Sequence, residues 1–70
     1  MLVYFALPSA EPATLELIDV AGRRVRERSV GALGAGRHEL DLGNGLKPGL
    51  YFLRLTQGAH RRVTRATLMD

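Results

Sequence analysis

Apolar and polar residues alternate along most of this chain in short runs, each closed by a proline, a glycine or an Asp-Gly turn pattern. Val3, Phe5 and Leu7 recur at period two and end at Pro8, which predicts a first strand from Leu2 to Leu7. Leu15 and Leu17 alternate with Thr14 and Glu16 in a second strand running from Ala13 to about Val20. Ile18 and Val20 then fall on the opposite parity, so either both faces are covered there or a bulge resets the register near Asp19. A weakly apolar third strand from Arg24 to Val30, anchored by Val25 and Val30, has the charge of a protected edge. A fourth spans Arg37 to Leu42 with Leu40 and Leu42 inward, and Gly43-Asn44-Gly45 reads as a tight connector after it. Leu50 to Thr56 carries Tyr51, Leu53 and Leu55 on one face and Leu50 and Phe52 on the other, the mark of a central strand. A last strand runs from about His60 to Met69 after the turn Gln57-Gly58-Ala59. No apolar stripe recurs at helical spacing, so the chain reads as all-β.

Two turns carry chemical detail. In Asp19-Val20-Ala21-Gly22-Arg23 an Asx side chain can bond the backbone ahead of it, while the glycine accepts a left-handed conformation. Pro48-Gly49 suits the central pair of a type II turn and feeds directly into the most strand-like run of the sequence. Gly22 and Gly49 are therefore expected at positive φ. Phe5, Leu15, Leu17, Leu40, Tyr51, Leu53 and Leu55 are the expected core.

Seventy residues make one domain at most, here 1–70, and six turn-bounded segments suggest a small immunoglobulin-like antiparallel β-sandwich of six to seven strands. There is no cysteine, so neither a disulfide nor a thiolate–metal site adds stability. Formal charge is +3, and nine of the ten basic residues are arginine. They cluster at Arg23-Arg24-Val25-Arg26-Glu27-Arg28 and at Arg61-Arg62-Val63-Thr64-Arg65. Without interleaved aromatics to stack bases, these clusters read as solvated strand faces, and no nucleic-acid partner is expected. The apolar start, Met1 to Pro8, lacks a basic leader and stops after seven residues, so it is no signal peptide. No run approaches a membrane span.

Catalysis finds no constellation. Ser9 lies in a proline-flanked loop and Ser29 on the predicted edge strand, neither in a nucleophile-elbow pattern. His38 and Glu39 point to opposite faces of a strand, Glu39 and Asp41 read as its solvated side, and His60 stands alone at a turn. No metal or cofactor is expected. The glycine-rich stretch Gly31 to Gly36 lacks the strand, helix and Lys-Ser/Thr context of a phosphate cradle and reads as a loop. Tyr4, Phe5, Tyr51 and Phe52 are better spent on the core than on a sugar platform.

The order of these features is itself a pattern. Leu7-Pro8, Asp19 with Gly22-Arg23 and Val25, Gly36 with His38, Gly49 with Tyr51, and a basic-then-apolar last strand at Arg65 follow one another over residues 4 to 69. This resembles the C-terminal sorting domains of type IX secretion cargo and the related immunoglobulin-like domain of flagellar hook-capping proteins. Arg65 stands where the sorting domains usually carry a lysine, and the Asn-Pro element that often precedes their first strand is absent. The resemblance implies a non-catalytic module ending a larger bacterial protein, secreted or placed at the cell surface, with the export signal outside this chain. Its partner would be a secretion-machinery protein or a neighbouring domain of the same chain. A structural or binding module, hook-cap-like or an adhesin repeat, is the alternative.

Overall fold

The computed structural model describes residues 1–69 and shows six antiparallel strands in two sheets. These are β1 (Leu2–Leu7), β2 (Ala13–Asp19), β3 (Arg24–Ser29), β4 (Gly36–Asp41), β5 (Gly49–Gln57) and β6 (His60–Leu68). β1 pairs only with β4, while the larger sheet has the order β3-β2-β5-β6. The result is an all-β sandwich of two strands against four. As the two-faced apolar pattern of Leu50 to Leu55 predicts, β5 is central.

Side chains at period two from each sheet meet in one core. Val3 and Leu7 of β1 join Ala13, Leu15 and Leu17 of β2 and Tyr51 and Leu53 of β5, with Val30 and Leu42 from the loops. Leu15 and Leu17 have no exposed surface, so they lose the full benefit of water exclusion if shortened. Of the expected core, Phe5, Leu40 and Leu55 are only half-buried: both strands of the smaller sheet are edges, and two strands leave part of the inner face of four uncovered.

Local chemistry explains the connections. The β2–β3 register slips between Leu17 and Ile18, where Leu17 faces Arg26 and Ile18 faces Arg24, leaving Val25 as the extra residue. The bulge thus lies on β3 opposite this step and places Val25, half-buried, against the core. Ile18 keeps partial cover on the outer face, and Val20 is exposed in the turn beyond the strand. The β5–β6 hairpin closes with Gly58-Ala59 between paired Gln57 and His60. Gly58 has φ +56 and Ala59 a negative φ, the glycine-first pattern of a type II′ turn.

Two expectations at the β4–β5 connection are corrected. Gly43-Asn44-Gly45 is not a tight connector but the middle of a longer crossing from Leu42 to Pro48, because β4 and β5 belong to different sheets. Pro48 forms a bend without a turn hydrogen bond, and Gly49 is already the first residue of β5, paired with Leu68. Its φ of +147 is positive, as expected, but far from the roughly +80° of a type II turn. The stretch after Val30 forms a single 3₁₀ turn, Gly31–Leu33, before the loop resumes.

Candidate functional site

The residues singled out by the sequence pattern lie in four places, and most of them build turns. Asp19 is the organiser of the β2–β3 hairpin. Its Oδ1 accepts the N–H groups of Ala21 at 3.0 Å and Arg23 at 2.9 Å, and its Oδ2 accepts Arg23 Nε at 3.1 Å. Its carbonyl accepts the Gly22 N–H at 3.0 Å, and Gly22 takes φ +84. The chain can turn this way because a short carboxylate replaces missing backbone partners and a residue without Cβ bears the left-handed backbone.

Tyr51 and Gly49 start β5. The Tyr51 ring is buried, and its hydroxyl donates to the Lys47 carbonyl at 2.5 Å, which ties the end of the crossing loop to the strand. This is the hydrogen-bond logic of a tyrosine corner. Asp19 and Tyr51 are direct partners across β2 and β5, so two of the motif positions share one end of the larger sheet. Gly36 opens β4 at φ +116 opposite Leu7. His38 lies against Phe5, with ring centroids 5.7 Å apart, and its Nε2 is 2.7 Å from the Gly34 carbonyl oxygen, to which it donates. His38 thus pins the loop before its own strand.

Arg65 differs from all of these. It is exposed on β6 opposite Phe52, and among the described residues it has no ion-pair partner. β6 as a whole is nine residues long and exposed except at Ala66 and Leu68, which are half-buried. Its inner edge is paired to β5 and its outer edge is open.

The first arginine cluster is not simply a solvated strand face. Arg26 and Arg28 stand opposite Leu17 and Leu15, on the inward face of the edge strand. Arg26 donates from Nε to the Leu42 carbonyl at 3.1 Å and from Nη2 to that of Asn44 at 2.8 Å, holding the crossing loop. Arg24 Nη1 reaches Glu16 at 3.2 Å and Glu27 at 2.9 Å. With Arg23 on Asp19, these side chains are engaged in the fold itself, whereas Arg61, Arg62 and Arg65 project to solvent.

Sequence reasoning missed two polar residues that the fold buries. Glu16 is 7% exposed in the middle of β2, where Arg54 grips it through Nε at 2.9 Å and Nη2 at 3.1 Å. Glu16 alternates with Leu15 and Leu17 and therefore looks like an outward solvated position; only the register that sets it beside Arg54 reveals the pair. Gln57 is 2% exposed. Its amide nitrogen donates to the carbonyls of Ser9 at 3.0 Å and Glu11 at 2.7 Å, and its oxygen accepts the Ser9 N–H at 3.3 Å. A signal was present here, since Gln57 continues the inward parity of Tyr51, Leu53 and Leu55.

Three carboxyls are held below their usual range. The hydrogen bonds from Arg54 dominate at Glu16, the Arg23 backbone N–H at Asp19 and the Gly43 N–H at Asp41. Each has a lower folded than unfolded pKa. Its contribution is therefore present above the unfolded value, near pH 4, and is lost as pH falls through the folded value. The thermal midpoint is expected to drop as pH is lowered from about 5 to 3 and to change little between 6 and 8. Glu16→Gln should make the acid-side slope shallower; an unchanged slope would remove Glu16 from the acid response.

Among the described residues no three metal-binding side chains converge, and no helix is long and apolar enough to cross a membrane. What the arrangement offers is a rigid sandwich with turn-building motif residues and a long basic edge strand. That combination suits a recognition module in which the folded surface is the working part. The family model described as secretion system C-terminal sorting domain matches residues 2–68, and the chain belongs to that family. It is a type IX secretion sorting domain, of the kind carried by secreted or cell-surface cargo. The match does not extend to the hook-capping domains that the sequence also resembles. No curated protein matches the chain.

Proposed function

We propose that this chain is a single non-catalytic domain at the C-terminal end of a larger exported protein, and that the secretion machinery docks on the open edge of β6. The observation that carries this reading is β6 itself: nine residues paired on one side only, exposed along nearly their whole length and rich in arginine that forms no ion pair among the described residues. An open strand edge is a row of unpaired N–H and C=O groups, normally guarded against association. A receptor that adds a strand gains those hydrogen bonds and reads alternate side chains for specificity. Asp19, Gly22, Arg23, Val25, Gly36, His38, Gly49 and Tyr51 then serve the fold that presents β6, and Arg65 is the contact residue.

A reporter fused to the domain tests this in a type IX secreting host. Deleting Arg65 to Asp70 is expected to abolish export, whereas replacing Arg61 by Ser should reduce it far less. The deletion also removes Ala66, the partner of Tyr51, so retained β structure is checked by circular dichroism. Arg65→Glu alters the contact without shortening the strand and should also block export. Normal export of the folded deletion or of Arg65→Glu would defeat the assignment of β6.

A further inference from the structure

A groove of about 540 Å³ runs between β1 and the inner face of the β5–β6 hairpin. It exists because the sheet of two covers one side of the sheet of four and leaves the other. Leu15 and Leu17 of β2 are fully buried, while Leu55 of β5 is only half-buried and Arg62 and Thr64 of β6 are exposed. Phe5, Leu53 and Leu55 form its apolar floor, and His60, Arg61 and Arg62 line its β6 side. None of the described lining residues carries a carboxylate.

One wall of the groove is an unpaired strand edge. The Leu42 N–H donates to the Met1 carbonyl at 2.7 Å, which fixes the hydrogen-bond parity of the β1–β4 ladder. Alternate residues of an antiparallel pair exchange bonds, so Val3, Phe5 and Leu7 bond to β4. Leu2, Tyr4 and Ala6 turn their N–H and C=O groups to the other side, where β1 has no neighbour. Three features therefore coincide: free backbone donors and acceptors, an apolar floor, and a basic wall.

We infer that this groove accepts an extended segment from the protein that reads the domain, with apolar and acidic residues together on its inward face. The segment adds to the free edge of β1 as a third strand of the smaller sheet. Inward apolar side chains cover Phe5 and Leu55, and inward carboxylates meet His60 and Arg62, the basic residues of β6 that share the parity of Leu55. A second copy of this chain fits less well, since β1 has no acidic residue to set against that wall. The naming of the partner rests on the sorting reading; the groove's preference for such a segment does not.

The probe, added to the 70-residue chain, is the acetylated and amidated seven-residue peptide Val-Thr-Glu-Thr-Val-Thr-Glu, which sets valine and glutamate on one face. Its lysine-for-glutamate counterpart is the control. Bound peptide should slow hydrogen exchange at the Tyr4 and Ala6 amides at least tenfold, and the lysine peptide should not. Ala6→Pro removes an edge N–H without touching a bond to β4, and Arg62→Glu reverses the wall; each should weaken binding at least tenfold. Unchanged exchange at Tyr4 and Ala6, equal binding of the two peptides, or protection confined to Arg61, Val63 and Arg65 would overturn the inference. In the export assay, normal secretion with Ala6→Pro alongside failure of the β6 deletion would overturn the groove's role and leave the sorting reading standing. Failure of the unaltered domain to export its reporter would count against the sorting reading instead, with the peptide result unaffected.

Discussion

Truncating Leu15 to alanine is expected to cost about 2–5 kcal/mol, the range for removing a fully buried leucine. Leu15 has no exposed surface and sits on β2 between Leu55 of β5 and Arg28 of β3, beneath the smaller sheet. Neighbouring strands are held by their own ladders, so they close on the vacated space only in part. A chain of 70 residues has a total stability of about 4–10 kcal/mol at the usual 0.05–0.15 kcal/mol per residue. The substitution therefore removes much of what holds the sandwich together. Leu53→Ala, on the central strand, is expected in the same range. Val63→Ala, at 58% exposure on β6, should stay within about 0.5 kcal/mol of the parent. Urea midpoints of the three variants decide the matter: a Leu15→Ala midpoint close to that of Val63→Ala would show that the two sheets do not pack as described.

The strands were legible because most alternate at period two and several end in a residue with restricted or unusual backbone freedom. Pro8, Gly22 and Gly58 stop strands for reasons that require no tertiary knowledge, and the Asp19 turn could be written down from side-chain reach alone. What could not be read depends on which strands become neighbours. Glu16 and Arg54 lie 38 positions apart and each looks like an ordinary outward polar residue; their pairing follows from the β2–β5 register. The same holds for Arg26, whose inward direction follows from the bulge at Val25 and whose acceptors belong to a loop between two other strands. The groove beside β1 is a property of the partition into two strands and four, and no local pattern encodes that partition. Gln57 is a different case, since its parity marked it as inward and only its polarity argued otherwise.

Gly31→Ala is expected to be more damaging than any other glycine substitution in the chain, although Gly31 is absent from the positive-φ positions. A Cβ on Gly31 would lie 2.7 Å from the Glu11 carbonyl oxygen and from Pro12 Cα, and 2.8 Å from the Ala13 nitrogen. All three are backbone atoms, so no side chain can swing aside. The close approach is fixed from both ends, because the Val30 N–H donates to the Ala13 carbonyl at 2.9 Å while Val30 itself is 1% exposed in the core. Relief requires the Glu11–Ala13 segment to move away from the 3₁₀ turn. That movement strains the Gln57 amide, which bonds the Ser9 and Glu11 carbonyls. Overpacking of a tight contact typically costs about 1–3 kcal/mol, and the attached hydrogen bonds place this substitution at the upper end. Gly45→Ala is the comparison: its φ is +86 but no atom lies within 4 Å of the added Cβ, so only the left-handed backbone penalty of about 1–2 kcal/mol applies. Each kcal/mol shifts the thermal midpoint of a domain this size by roughly 4–8 °C, so the two variants are separable by calorimetry. A Gly31→Ala midpoint at or above that of Gly45→Ala would mean that the loop from Glu11 to Ala13 does not press on the turn after β3.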